Sequence, residues 1–242
     1  MFSISYSKKE FTGMKNRLQW AISTDETRES LTGLRIEVNP DGVRYIGCNG
    51  HVLAIEDETR NLPESGEYLV DGKILKEKIA KDSLAGFIFN GSVEFSSDGQ
   101  TSHDVSMNCR YPDIKRVMDD TKYETAPDVI FHEESLEVLN VVCGLLKADK
   151  IDKLPSVTLQ GVEGNDSIII TVERSGYTFT GSLKAAVYQD VTIGIDPNYL
   201  FNCINNGCKR FHMHEDGNTK LMKFASTCSP VTYYVMPLRI NK

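Results

Sequence analysis

A spacing of 125 residues recurs along this 242-residue chain. Phe11, Met14, Leu18 and Ile22 stand at helical intervals, and so do Leu136, Leu139, Val142, Cys143 and Leu146; the first members of the two stripes are 125 apart. The run Glu67-Tyr-Leu-Val70 reads as a strand that enters a helix at Asp71, and Val191-Thr-Ile-Gly-Ile195 as one that enters a helix at Asp196, again 125 residues on. Both aspartates suit a helix N-cap, Pro197 suits the first helical position and Gly207 the stop. The pairs Tyr111-Pro112 and Met236-Pro237 supply a third landmark at the same offset. A chain that repeats itself at this interval is constrained to fold as two similar domains.

Each half reads as strand, helix, several strands, helix, several strands. Phe2–Tyr6 alternates as a strand, followed by a helix over about residues 8–23. The first half then offers strands at Gly33–Val38, Val43–Cys48, His51–Glu56, Glu67–Val70, Phe87–Phe89, Val93–Ser96 and Asp104–Asn108, with a second helix over about 72–82. Asn39-Pro-Asp-Gly42 and Asn90-Gly91 are turns. The second half offers Asp128–Phe131, Ser156–Val162, Ser167–Val172, Tyr177–Ser182, Val191–Ile195 and Thr232–Met236. The fold class expected is α+β, with two repeated domains that each pack two helices on antiparallel sheets. The polar stretch near 119–127 is the natural linker, dividing the chain into domains 1–122 and 123–242.

Charge and cysteine usage narrow the function. With 27 Lys and Arg against 34 Asp and Glu the net charge is −7, which argues against a broadly basic nucleic-acid binder but leaves room for one basic face. Cys48, Cys109, Cys143, Cys203, Cys208 and Cys228 form no C-x-x-C pair, so reduced thiols are expected rather than a zinc or redox site. No P-loop, dinucleotide fingerprint or G-x-S-x-G occurs. His212-x-His214 with Glu215 and Asp216 lacks an evident distant third ligand. His51 near Cys48 lacks an oxyanion hole and an orienting acid, and Asp119-Asp120 lies in the linker. No catalytic residue, metal or cofactor is expected.

Several segments, in order along the chain, resemble the bacterial DNA polymerase III beta subunit family of sliding clamps. Arg110-Tyr-Pro-Asp-Ile-Lys-Arg-Val117 is similar to that family's aromatic-proline-aspartate-aromatic-arginine-arginine-valine segment. Tyr234-Val-Met-Pro-Leu-Arg-Ile240 is similar to its C-terminus. Leu31-Thr-Gly-Leu34 with Cys48-Asn-Gly-His-Val-Leu-Ala54 resembles its leucine-x-glycine strand and glycine-histidine loop, and Ile195–Leu200 the start of a pore helix. The departures are specific: Asn49 and Val52 replace the usual aspartate and arginine, two residues follow the usual terminus, and two domains stand where the family has three, resembling the middle and last.

The resemblance implies a ring around duplex DNA. Six modules close such a ring, so two per chain imply a head-to-tail homotrimer, joined through sheet edges that the sequence does not identify. The pore helices would bring Lys8, Lys9, Lys15 and Arg17 and then Lys73, Lys76, Lys78 and Lys81 to the phosphates without reading sequence. In the second domain Lys147, Lys150, Lys209 and Arg210 would serve, the last two closing the final helix. Polymerase and clamp-loader subunits would insert short hydrophobic peptide motifs into a pocket between domains. Carried over by motif, its residues are Leu31, Gly50, His51, Val52, Leu53, Pro112, Arg116, Val117, Val235, Met236, Pro237, Leu238 and Arg239. Ordinary core packing is the competing account of Val235 and Leu238. The competing account of the whole chain is a clamp-like adaptor or decoy that binds such peptides without encircling DNA. With no apolar run of membrane length and no secretory layout at the start, a cytoplasmic location without membrane contact is expected. The reduced domain count points to a phage or other mobile replicon.

Overall fold

The computed structural model describes residues 1–81, 83–97, 103–114, 122–148, 156–174, 176–217 and 219–240. The chain divides into two units, Met1–Asp113 and Ile114–Lys242, and each is an α+β assembly of helices on antiparallel strands.

Unit 1 runs β1 (Phe2–Ser7), α1 (Lys8–Leu18), β2 (Gly33–Asn39), β3 (Gly42–Cys48), β4 (Val52–Thr59), β5 (Gly66–Asp71), β6 (Leu84–Asn90), β7 (Ser92–Ser97) and β8 (His103–Asp104). One sheet has the order β1-β6-β7-β8, the other β5-β2-β3-β4. A capping box starts α1: the Glu10 amide donates to the Ser7 hydroxyl (3.4 Å) and the Ser7 amide to the Glu10 carboxylate (2.7 Å). The helix buries Phe11, Met14 and Leu18, with Phe11 against Phe95 at 5.5 Å between ring centres. It stops at Leu18, short of the expected residue 23. A 3₁₀ turn over Gln19–Ala21 follows, and Ile22 is extended, which lets the Ser23 amide reach the Leu31 carbonyl (2.9 Å).

The second helix expected in this unit, over about 72–82, is reduced to a 3₁₀ turn, Gly72–Lys76. Asp71 caps it as expected, accepting from the Lys73 amide (2.8 Å). Gly72 is a weak helix former, and a single short segment has little cooperativity to resist fraying. The apolar side chains Ile74, Leu75 and Ile79 are nevertheless buried. The strand expected over Asp104–Asn108 is likewise shorter, His103–Asp104, with one isolated bridge from Ser106 to Val70.

Unit 2 runs β9 (Val129–Phe131), α2 (Ser135–Ala148), β10 (Ser156–Gly161), β11 (Ser167–Arg174), β12 (Tyr177–Val187), β13 (Val191–Gly194), α3 (Pro197–Asn205), β14 (Arg210–His212), β15 (Met222–Ala225) and β16 (Val231–Val235). Its strands form one run, β13-β10-β11-β12-β9-β14-β15-β16. α3 follows the sequence signals closely. Asp196 accepts from the Asn198 amide (2.8 Å), Pro197 occupies the first turn, Leu200, Cys203 and Ile204 are buried, and Gly207 leaves the helix at φ +84°. β14 and β15 were not anticipated; at three and four residues they are too short to show a period of two. The described part of the stretch read as a linker, from Lys122 on, is fastened to unit 2. Lys122 is ion-paired with Glu215, and the Tyr123 hydroxyl donates to the Leu221 carbonyl (3.1 Å).

The repeat is one of strand pairing. β1-β6-β7 matches β9-β14-β15 through the triplets Ile4, Phe87, Phe95 and Val129, Phe211, Phe224. β5-β2-β3-β4 matches β13-β10-β11-β12. The third proline landmark is not part of it. The Met107 amide donates to the Leu69 carbonyl (2.8 Å) and the Leu238 amide to Gly194 (2.9 Å), so Met107 and Leu238 are the equivalent residues. Pro112 therefore lies beyond, and Pro237 before, the corresponding point.

Candidate DNA and partner surfaces

The lysines of unit 1 expected to meet DNA lie on one helix and on and after one turn. Lys8 and Lys9 are exposed in the first turn of α1, Lys15 is half-buried further along, and Lys73, Lys76, Lys78 and Lys81 are exposed at and after the 3₁₀ turn. An open groove of about 730 Å³ runs beside α1, lined by Lys8, Lys9, Thr12, Asn16, Lys81 and Ser83 among others. Arg17 departs from this set. Its Nε donates to Glu56 Oε2 (2.8 Å), and the Glu56 side chain is only 8% exposed. The guanidinium folds across Gly13, where an added Cβ would come within 2.9 Å of Arg17 Nη1. Its charge is spent on a buried carboxylate of the same unit.

Unit 2 is different. Lys147 is exposed in the last turn of α2, and Lys150 lies outside the described residues. Lys209 and Arg210 do not close the last helix, because α3 ends at Asn205. Lys209 donates to Glu133 (3.1 Å), and Arg210 is half-buried at the start of β14.

The residues assigned to a peptide pocket fall into three groups. Val52 and Leu53 are buried in unit 1 and Val235 in unit 2, so these three are core. Leu31 is buried at the end of the 3₁₀ segment Glu26–Thr32, while Gly50, His51 and Pro112 are exposed. In unit 2 Met236 is 47% exposed, Pro237 and Leu238 are half-buried and Arg239 is exposed. Leu238 is held by its main-chain bond to Gly194. Arg116 and Val117 lie outside the described residues.

The loop over Asn49–Val52 explains one departure from the family pattern. Asn49 Oδ1 accepts from the amides of His51 and Val52, both at 2.9 Å, a role for which an aspartate's carboxylate is equally suited. Gly50 sits at φ +88°, a conformation that disfavours other residues. A residue that the sequence reading missed stands over this loop. Arg28 Nη1 lies 2.7 Å from where a Gly50 Cβ would be, and Arg28 Nε donates to Asp25 (3.0 Å). Its signal was local: Asp25-x-x-Arg28 is a short capped turn with a fixed cation.

The histidines and thiols have structural surroundings. His212 is buried, with Nδ1 3.1 Å from the Glu124 carbonyl, and burial holds its pKa down. His214 Nδ1 accepts from the Asp216 amide (3.1 Å). Burial pushes the Cys48 thiol up, away from the thiolate a nucleophile needs, and its Sγ accepts from the Gly50 amide at 3.4 Å. Among the described residues no group of three or more His, Cys, Asp or Glu is placed to hold a metal, and no helix is long and apolar enough to cross a membrane.

Two repeated α+β units of this pairing define the sliding-clamp fold. The chain is similar in structure to the DNA polymerase III beta subunit of Thermotoga maritima (18% identity, TM-score 0.77, 100% of this chain and 66% of that one). It is similar also to the DNA polymerase sliding clamp of Bacillus subtilis (16%, 0.80, 99% and 65%) and to the beta sliding clamp of C. crescentus (19%, 0.80, 99% and 66%). The chain thus spans slightly less than two thirds of each. At these identities the likeness is one of fold. No protein-family profile and no curated protein matches the chain.

Proposed function

We propose that this chain is a two-module DNA sliding clamp, a processivity factor without chemistry of its own, whose modules are residues 1–122 and 123–242. The observation that carries the reading is the duplicated strand pairing, which extends over nearly the whole chain and matches solved clamps over 99–100% of its length. The modules resemble the family's middle and last domains. Three copies would supply six modules, enough to enclose a duplex as a homotrimer in the cytoplasm. Exposed lysines of α1 and of the 73–81 segment would face the phosphates. A polymerase and a clamp loader would dock through short hydrophobic peptides on the residues around Leu31, His51, Met236 and Leu238.

One edge supports self-association. β12 pairs with β11 along Tyr177–Lys184, but with β9 only over Ala185–Val187. Among the described residues no strand lies along the other edge of residues 178–182. That segment, Thr-Phe-Thr-Gly-Ser, is uncharged, contains β-prone residues, and lacks the lysine or proline that usually protects an edge.

Light scattering of the purified protein tests the assembly: a mass three times 27.1 kDa is expected. The protein should be retained on nicked circular DNA and released when the circle is cut. A monomer that binds clamp-binding peptides but is not retained on circles would establish the adaptor reading instead.

A further inference from the structure

The exposed lysines of α1, of the 3₁₀ turn and of the residues after it make a cationic surface in unit 1 that α2 and α3 do not match. Lys8, Lys9, Lys73, Lys76, Lys78 and Lys81 are all exposed in unit 1. Among the described residues of unit 2, α2 carries the one lysine Lys147, and α3 carries no cation. The exposed positions of α2 are Glu137, Asn140, Val141, Gly144 and Lys147, approached through the exposed Glu133 and Glu134. Of the cations beside this helix start, Lys209 is tied to Glu133 and Lys184 lies in the field of Glu134.

We propose that the helical contact to the DNA backbone is made by unit 1, in the groove beside α1 that Lys81 and Ser83 also line, and that α2 and α3 of unit 2 make no phosphate contact. The inference rests on the sliding-clamp reading and deepens it. The groove is lined by three exposed lysines, Lys8, Lys9 and Lys81, together with Thr12, Ser83 and Asn16. Among the described residues no carboxylate is ion-paired with any of the three lysines. Ammonium, hydroxyl and amide donors are the groups that meet phosphate oxygens without reading bases. At the start of α2 the exposed side chains are the carboxylates Glu133, Glu134 and Glu137, of which Glu133 is paired with Lys209 and Glu134 lies in the field of Lys184, so there is no comparable run of unpaired lysines on this helix among the described residues. A ring built this way touches the duplex at one patch per chain rather than two.

The test compares full-length variants for affinity to a short labelled duplex across a salt series, together with retention on nicked circles. K8E/K9E/K81E should bind at least about tenfold more weakly, with the slope of log affinity against log salt reduced by about 2–3. K147E should stay within about twofold of wild type, and E133K/E137K should bind more tightly. Acidic residues in the first turn of α1 are compatible with the helix dipole; K8Q/K9Q/K81Q gives the same direction of change if the glutamates disturb folding. Wild-type affinity in both triple variants, or an equal loss in K147E, overturns the proposal. A wild-type protein that binds duplex through this groove but leaves closed circles upholds the one-sided contact and removes the ring.

Discussion

The same corner of the fold is built in opposite ways in the two units. In unit 1, Tyr6, Tyr45, Glu58 and Arg60 form a polar cluster. The Tyr45 hydroxyl bonds the Tyr6 oxygen, Tyr6 donates to Glu58 Oε2 (2.8 Å), and the Arg60 guanidinium bonds Glu58 and lies 4.8 Å from the Tyr6 ring centre. In unit 2 the residues 125 positions later are Phe131, Ile170, Leu183 and Ala185, all apolar and buried. The backbones differ to match. Ala185 pairs with Phe131, joining β12 to β9, whereas among the described residues β4 and β1 are not paired and Arg60 Nη2 instead donates to the Ser5 carbonyl (3.3 Å). A sheet corner can thus be closed by main-chain hydrogen bonds over an apolar core, or by side chains across a gap. Burial raises the hydroxyl pKa of both tyrosines, so the cluster stays neutral at the phenols.

The largest expected difference lies beside this corner. Replacing Arg17 by Leu leaves the buried Glu56 carboxylate without its partner and should cost about 3 kcal/mol in chemical denaturation. Adding Glu56→Gln should recover much of the loss, because a neutral amide is cheaper to bury. A loss below about 1 kcal/mol for R17L would mean that the ion pair contributes little and the corner is held by packing.

Glu58→Leu comes next. It leaves the Tyr6 hydroxyl without its acceptor and Arg60 without its carboxylate, and should cost about 1–3 kcal/mol. Converting the whole cluster to its unit 2 counterpart, Y6F/Y45I/E58L/R60A, should be milder than that single change, within about 2 kcal/mol of wild type, since polar clusters replaced as a set by apolar residues are often tolerated. A quadruple variant less stable than E58L would show that the corner of unit 1 depends on its polar geometry.

The smallest effect is one of pH. His212 occupies the strand position that Ile88 holds in unit 1, as the pairing of their neighbours Phe211 and Phe87 shows. Burial, aided by the Lys223 charge, lowers its pKa below the ordinary 6.5. The unfolded chain therefore binds the proton more readily than the native one. Stability contributed by the neutral imidazole is complete above pH 6.5 and is lost as pH falls towards the lowered native value, by no more than about 1.4 kcal/mol per pH unit. The nearby Asp128 is shifted the other way, its pKa raised by burial, so its stabilising protonated form is lost as pH rises above about 4. Thermal melts of His212→Ile between pH 7 and 5 should lose the slope that His212 contributes.

Which parts of this were readable in advance follows from the range of the interactions involved. The caps at Asp71 and Asp196, the buried stripes of α1, α2 and α3, and the strands of alternating polarity rest on neighbours two to four residues apart, and the chain order carries them directly. The 125-residue interval also follows from sequence alone, because equivalent environments select similar residues. Tyr6 and Phe131, or Tyr45 and Ile170, keep that interval even where their chemistry diverges. Tertiary structure decided the rest. It reduced the lysine-rich 72–82 segment to one turn, since so short a helix depends on what it packs against. It sent Arg17 to Glu56, Lys209 to Glu133 and Val235 into the core, because the partners that compete for a charge or an apolar side chain lie tens of residues away. A list of lysines in order cannot distinguish those left facing water from those already neutralised; only the fold brings the carboxylates into reach.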